Sequence, residues 1–253
     1  MLLFIAALGC TPCGTGGACA VDGGRYYAVE PKGWDGKTPL PAVMHIHAWN
    51  SSPDRWLNDD GVMTDFSDGG ALVILPEGNS DTWNVNESPS LRDEVAFLGT
   101  VADDVASKWP ISGLYVSGHS VGASMVHLLA CRDPERYDAF APIAGVFWEP
   151  RPVECEPAQV RLQHIHGTGD TTWPLEGRWF GNIGGQDAVF DSWDFWLEHN
   201  GCDPEPEATF VEGVLSCERW SCGEGALQMC LHDGQHASPS GWVSQTLGWY
   251  AGG

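Results

Sequence analysis

Basic residues are scarce in this chain. Twelve lysines and arginines, only three of them lysine, stand against 34 acidic residues, for a formal net charge of −22 over 253 residues. That balance excludes nucleic acid and anionic membrane surfaces as partners, because both would repel it. It fits a protein adapted to salty or extracellular water better than one that gathers cationic substrates. Long apolar runs are missing too, and the opening Met1–Leu8 segment is far too short to cross a bilayer. Nor is there an internal repeat, a low-complexity block or a compositional break that would mark a second domain. The length suits one α/β domain with a full core.

Cysteine, by contrast, is plentiful, with nine residues. Disulfides persist in oxidising compartments, so this number points to export. The first ten residues agree: an apolar core ends in a small residue before Cys10, although no positive residue follows Met1. This segment reads as a signal peptide with a truncated start, ending at a lipidated Cys10, with a buried first strand as the alternative. Residues 1–24 are therefore expected to be an export signal and a Cys/Gly-rich tether or small stapled loop, and residues 25–253 the catalytic domain. Without Cys10, eight cysteines remain to form four bridges, whose pairing the sequence leaves open. Cys10-x-x-Cys13 lies in a Gly-rich stretch without a βαβ context, which argues against a redox or metal motif.

Short apolar runs of buried-strand type alternate with helical patterns. Strands are expected at Arg25–Val29, Ala42–His47, Ala71–Leu75, Leu114–Ser117, Ala139–Ala144, Val160–His166 and Ala226–Leu231. Pro142 weakens the fifth. Helices are expected at Leu91–Lys108, Val121–Cys131, Ala188–His199 and Trp242–Tyr250, with a polar loop from Ala48 to Pro53. Such alternation favours a mostly parallel sheet covered on both faces, an α/β class.

One stretch carries the chemistry. Gly118-His119-Ser120-Val121-Gly122 matches G-x-S-x-G and lies between a strand and a helix, the context of a nucleophile elbow. The glycines let the backbone turn sharply and raise the Ser120 hydroxyl above the sheet. The helix that follows offers free N–H groups to a developing oxyanion. Serine is a weak nucleophile and needs a histidine base held by a carboxylate, in the chain order Ser, acid, His. His236, in the loop after the last expected strand, is the base, with His232 as its rival. Asp170, just past a strand in His166-Gly167-Thr168-Gly169-Asp170, is the acid; Asp187 and Asp191 head a helix and read as caps. The two oxyanion donors are expected to be the backbone N–H groups of Val121 and Trp49.

Two further features compete for a role. His45/His47 and His164/His166 each place two imidazoles on one face of a strand, a spacing that metal sites use. Hydrogen-bonded strand-end histidines are the preferred reading, with no metal. Among 13 tryptophans, Trp49, Trp83, Trp148 and Trp173 fall on loops around the elbow, where they could stack on a ligand or pack in the core. Trp193 and Trp196 read as core.

Taken together, residues 25–250 resemble the secreted polyhydroxybutyrate depolymerase and feruloyl esterase family of α/β-hydrolases. The resemblance rests on Asp93–Leu98 through the elbow to Ala144-Gly145, on Leu75-Pro76-Glu77-Gly78 with Trp83-Asn84, and on His166–Asp170, Asn200-Gly201-Cys202 and Gly234-Gln235-His236. It implies the α/β-hydrolase fold and acyl transfer through Ser120, Asp170 and His236, without a cofactor. The implied substrate is an ester, polymeric or polymer-attached, with Trp83, Trp148 and Trp173 lining its site. The protein is expected to be secreted and monomeric, and to meet a membrane only through a lipid at Cys10. Departures are His47-Ala48 for His-Gly, Ala123 for a second glycine, and Ser238-Pro239-Ser240 for Trp-Pro-Gly. These leave the triad and weaken transfer of substrate identity. Two other classes remain, a non-catalytic carbohydrate-binding protein on an esterase scaffold and a metal hydrolase using the paired histidines.

Overall fold

The computed structural model describes residues 13–252. The proposed signal segment and Cys10 lie outside these residues. In chain order the elements are β1 (Gly17–Val21), β2 (Gly24–Val29), β3 (Leu40–Ile46), α1 (Pro53–Leu57), α2 (Asp60–Asp68) and β4 (Leu72–Pro76). Then come α3 (Glu94–Lys108), β5 (Ile111–His119), α4 (Val121–Arg132), β6 (Ala139–Ile143), β7 (Trp148–Glu149) and β8 (Arg161–Gly167). The chain continues with β9 (Arg178–Trp179), β10 (Gly185–Gln186), α5 (Val189–Asn200), β11 (Ala208–Glu212), β12 (Leu215–Cys222), β13 (Gly225–His232) and α6 (Trp242–Tyr250).

Ten strands form one sheet in the order β1-β2-β4-β3-β5-β6-β8-β13-β12-β11. The inner run from β4 to β13 is parallel throughout. An antiparallel pair closes each side, β1–β2 against β4 and β12–β11 against β13. Strands buried on both faces must be apolar on both faces, and β4 and β6 are buried at every position. Aromatic and aliphatic side chains from α3, α4 and α5 fill one side of the sheet, among them Phe97, Met125 and Trp196. Trp56, Phe66, Trp242 and Tyr250 from α1, α2 and α6 fill the other.

Pro142 sits inside β6 between two partners. There β6 keeps a continuous ladder with β5 but pairs with β8 only at Phe140–Leu162 and Ile143–Ile165, as befits a residue without a donor. Helix α3 starts at Glu94 rather than Leu91, because the Asp93 carboxylate accepts the Ala96 N–H and caps it there. The segment read as a tether includes β1, which pairs with β2 and is tied back by Cys13–Cys19. Helices α1 and α2 occupy residues beyond the expected polar loop, and β11 and β12 occupy a stretch with no expected element. The eight described cysteines pair as Cys13–Cys19, Cys131–Cys155, Cys202–Cys222 and Cys217–Cys230.

Candidate active site

Parallel strands end on one edge, and β5, β8 and β13 bring Ser120, Asp170 and His236 to it. Ser120 is the residue between β5 and α4, with φ 59° and ψ −122°. A non-glycine residue in this region is costly, on the order of 1–3 kcal/mol, and persists only where its surroundings hold it. Here the Ser120 N–H donates to the Ile143 carbonyl at 2.9 Å, while its carbonyl accepts the N–H groups of Ala123 and Ser124. The glycine at position 122 is required by packing: a Cβ there would lie 2.1 Å from the Ile46 carbonyl oxygen and 2.6 Å from that of His47. The first turn of α4 thus rests directly on the end of β3.

The acid and the histidine come from two loops laced together. Thr168 N–H donates to the His232 carbonyl at 2.8 Å, and Gly169 N–H to that of Gly234 at 3.0 Å. The loops approach so closely that a Cβ on Gly167 would stand 2.5 Å from the Gln235 carbonyl oxygen. His236 Nδ1–H donates to Asp170 Oδ2 at 2.7 Å. The other oxygen, Oδ1, accepts the backbone N–H groups of Thr172 and Trp173, each at 2.8 Å. A buried carboxylate with both oxygens occupied has one orientation, and that orientation fixes the histidine tautomer with its proton on Nδ1. Nε2 of His236 takes no part in that bond. The rival His232 instead accepts the Gly234 N–H at Nδ1 and makes no bond to a carboxylate.

His119, inside the elbow, packs against His236 with ring centroids 4.9 Å apart. Burial, with the positive potential of His236 second, pushes its imidazole down to about 4. It is therefore a neutral ring beside His236. Asp187 receives Arg151 Nη1–H at 2.8 Å and the Ser192 hydroxyl at 2.7 Å at the start of α5, a structural role.

The tryptophans divide. Trp49 is 69% exposed in the turn after β3. Trp148 is half-buried and stacks on Phe180 at 5.6 Å. Trp173 has no exposed surface and Trp83 almost none, so neither can lie along a ligand. This corrects the expectation that they line the site. Trp83 instead donates its indole N–H to the His47 carbonyl at 2.8 Å. His47 in turn donates Nδ1–H to the Ala48 carbonyl at 2.8 Å and accepts the Gly78 N–H at Nε2, 3.0 Å away. His45 bonds Ser117 at 2.8 Å, and His164 bonds His166 at 3.1 Å. Each of the four strand histidines is thus engaged in a hydrogen bond within the protein.

Sequence reasoning missed His47 and Trp83 as supports of the Trp49 loop, and Thr172 and Trp173 as backbone donors to the acid. An Asp followed two and three residues later by free N–H groups is an Asx-turn pattern, a signal that was readable after Asp170.

No protein-family model matches the chain. Over 145 residues, 54% of this chain, it is 25% identical to NocK, a proposed esterase of Nocardia uniformis subsp. tsuyamanensis. The match spans 42% of the length of that relative. Among solved structures, an acetyl xylan esterase from Aspergillus awamori superposes with a TM-score of 0.67 at 17% identity, covering 90% of this chain and 93% of its own. A Bacillus cereus carboxylesterase gives 0.57 at 14% identity, covering 90% and 94%. FphF, a fluorophosphonate-binding serine hydrolase of Staphylococcus aureus, gives 0.58 at 13% identity, covering 90% and 92%. Together with the parallel sheet and its helical layers, these likenesses establish that the chain has the α/β-hydrolase fold.

Proposed function

We propose that this protein is a secreted serine esterase that hydrolyses carboxylic esters through Ser120, His236 and Asp170. The observation that carries the reading is the 2.7 Å bond from His236 Nδ1 to Asp170 Oδ2, at the same sheet edge as a serine held at positive φ. In the reaction, His236 Nε2 takes the Ser120 proton as Oγ attacks the ester carbonyl. The negative oxygen that forms is held by the Val121 and Trp49 N–H groups, neither of which has a protein acceptor among the described residues. Collapse expels the alcohol, which leaves with the proton from His236. Water, activated by the same imidazole, then releases the acid and restores Ser120.

The preferred substrate is a polyhydroxybutyrate-like polyester, on the motifs shared with the depolymerase family. A feruloyl or acetyl-xylan ester is the second reading, and the likeness to the Aspergillus acetyl xylan esterase favours it. Four disulfides support export. Either reading is tested by hydrolysis of p-nitrophenyl acetate and butyrate with and without a fluorophosphonate, the label being located by peptide mass. Turnover that disappears as Ser120 is labelled supports the serine esterase. A folded, disulfide-bonded protein that neither turns over nor labels would instead be a binding protein on an esterase scaffold. Turnover that survives the label but falls to a chelator would indicate a metal hydrolase. Side-by-side assays on polyhydroxybutyrate and acetylated or feruloylated xylan separate the two ester classes.

A further inference from the structure

Three buried imidazoles stand behind Asp170, and the reaction above uses none of them: His127 on α4, and His164 and His166 on β8. Their hydrogen bonds fix where each proton sits. The Trp173 carbonyl, 2.9 Å from His166 Nε2, can only accept, so that nitrogen carries the proton. Burial disfavours a charge on all three rings, and on His164 most strongly, so each holds a single N–H. His166 Nδ1 is then a bare acceptor, and His164 Nε2, 3.1 Å away, must be its donor. His164 Nδ1 is left bare. From the other end, the indole N–H of Trp196 donates to His127 Nδ1 at 2.8 Å, which puts the His127 proton on Nε2. The unpartnered acceptor of His164 and the unpartnered donor of His127 belong to rings whose centroids are 5.6 Å apart. The two settled N–H groups, His164 Nε2–H to His166 and His166 Nε2–H to the Trp173 carbonyl, run in sequence toward the turn that carries the acid.

We propose that His166 is a positioning residue for the acid of the triad and that His164 holds it in the tautomer this requires. The inference rests on the assignment of Ser120, His236 and Asp170 made above. His166 Nε2–H pins the Trp173 carbonyl, and the N–H of that same residue pins Asp170 Oδ1. One imidazole thereby clamps the turn that presents the carboxylate. Its Nε2 is 3.6 Å from Asp170 Oδ2, too long for a hydrogen bond, so that oxygen is left to His236. A second proton on His166 would place a cation beside Oδ2, in competition with the imidazolium that His236 must become. The N–H of His164 occupies the site where that proton would go. Besides Asp170, His127 and His164, the titratable groups around His166 are His236 and His232 on the loop side and His119 at the end of β5.

The test combines a tautomer measurement with kinetics on the full chain. Long-range 1H–15N spectra of the histidines, assigned with His166→Gln and His164→Leu, should show His166 and His164 neutral, with the proton on Nε2, from pH 5 to 8. A His166 that titrates in that range, or carries its proton on Nδ1, overturns the proposal. On p-nitrophenyl butyrate, His166→Leu should lower kcat on the order of 10- to 100-fold with KM unchanged, the scale expected when a catalytic group is displaced by about 1 Å. His166→Gln, whose amide N–H can reach the same carbonyl, should recover most of that loss. Unchanged kcat in folded His166→Leu, or a Gln variant no better than Leu, overturns the proposal. If the Leu variant does not fold, the spectra and the Gln variant still decide. Failure of the esterase reading looks different: the native chain would then fail to label at Ser120, whatever the tautomers.

Discussion

The parallel half of the sheet and its antiparallel margins are held together by different physics. From β4 to β13 the strands are largely buried on both faces, β5 only in its second half, and apolar contact with the flanking helices does the holding. In the margins, β11 has no fully buried residue and β1 alternates buried and open positions. Two strands exposed on one side bury too little apolar surface to offset the entropy of ordering them. Cys13–Cys19 fastens one margin, and Cys217–Cys230 ties β12 to β13 in the other. All three proposed catalytic residues follow parallel strands, so the margins serve the chemistry only by closing the sheet's sides.

The largest effect expected lies at the edge of the parallel half. Ser120→Ala should abolish ester turnover, a loss on the order of a million-fold in kcat if the triad acts as a unit. Its thermal midpoint should stay near that of the native chain, since only a hydroxyl is removed. Unchanged hydrolysis would sink the esterase reading outright. In the margin, Cys217→Ser with Cys230→Ser opens a loop of 13 residues, for which about 3 kcal/mol of stability should be lost. Hydrogen exchange should then show β11 and β12 opening while β5 and β6 stay protected, with turnover retained at low temperature. Loss of protection spreading evenly through the sheet would show that the two regions are one cooperative unit.

Acid should discriminate in the opposite sense. Burial pushes His45 and His127 down to about 3 and His119 to about 4, and all three sit in the parallel half. Their ordinary value is near 6.5, so below it the unfolded chain binds protons that the native chain refuses. Stability is therefore full above about pH 6.5 and falls as the pH drops from there toward 4. Each histidine contributes at most about 1.4 kcal/mol per pH unit. Burial raises Glu94 and Glu149, which works in the other direction, but it lowers seven histidines against these two carboxyls. Urea midpoints at pH 7 and 5 measure the difference, and a flat profile would mean that these imidazoles take up protons in the folded state.

The same contrast explains what the sequence disclosed. The parallel strands announce themselves as apolar runs such as Leu72–Leu75, and the elbow is written in five adjacent residues. The proposed triad was assembled from chain order and the knowledge that loops after parallel strands share an edge, and the structure brings two of its members, Asp170 and His236, within hydrogen-bond distance. Helix α2 was hidden because it buries only Phe66 and carries three aspartates and a glycine in nine residues. Strand β12 buries Leu215 and Cys217 on one face and Trp220 and Cys222 on the other, so no single alternating apolar face runs through it, and its cysteines register as disulfide candidates. Tertiary hydrogen bonds leave no local trace at all. Trp83 and Trp173 look like exposed loop aromatics until their indoles are seen to be buried.

Trp83 gives the finest test, because it ties the proposed oxyanion side of the site to the core. Its indole N–H is the donor to the His47 carbonyl, one residue pair before the Trp49 N–H. Trp83→Phe keeps most of the apolar contact with the His47 ring, 4.9 Å away between centroids, and removes only that donor. A buried carbonyl left without its partner costs about 1–3 kcal/mol, so a modest fall in thermal midpoint is expected. If the bond only stabilises the fold, kcat should be unchanged at a temperature where the variant is fully folded. If it holds the oxyanion loop in place, kcat should fall about tenfold with KM steady, less than the 100- to 1,000-fold loss typical of deleting an oxyanion donor. The second outcome would make the end of β3 a working wall of the site, and would place its support in the apolar layer beneath the sheet rather than in the ligand-facing loops.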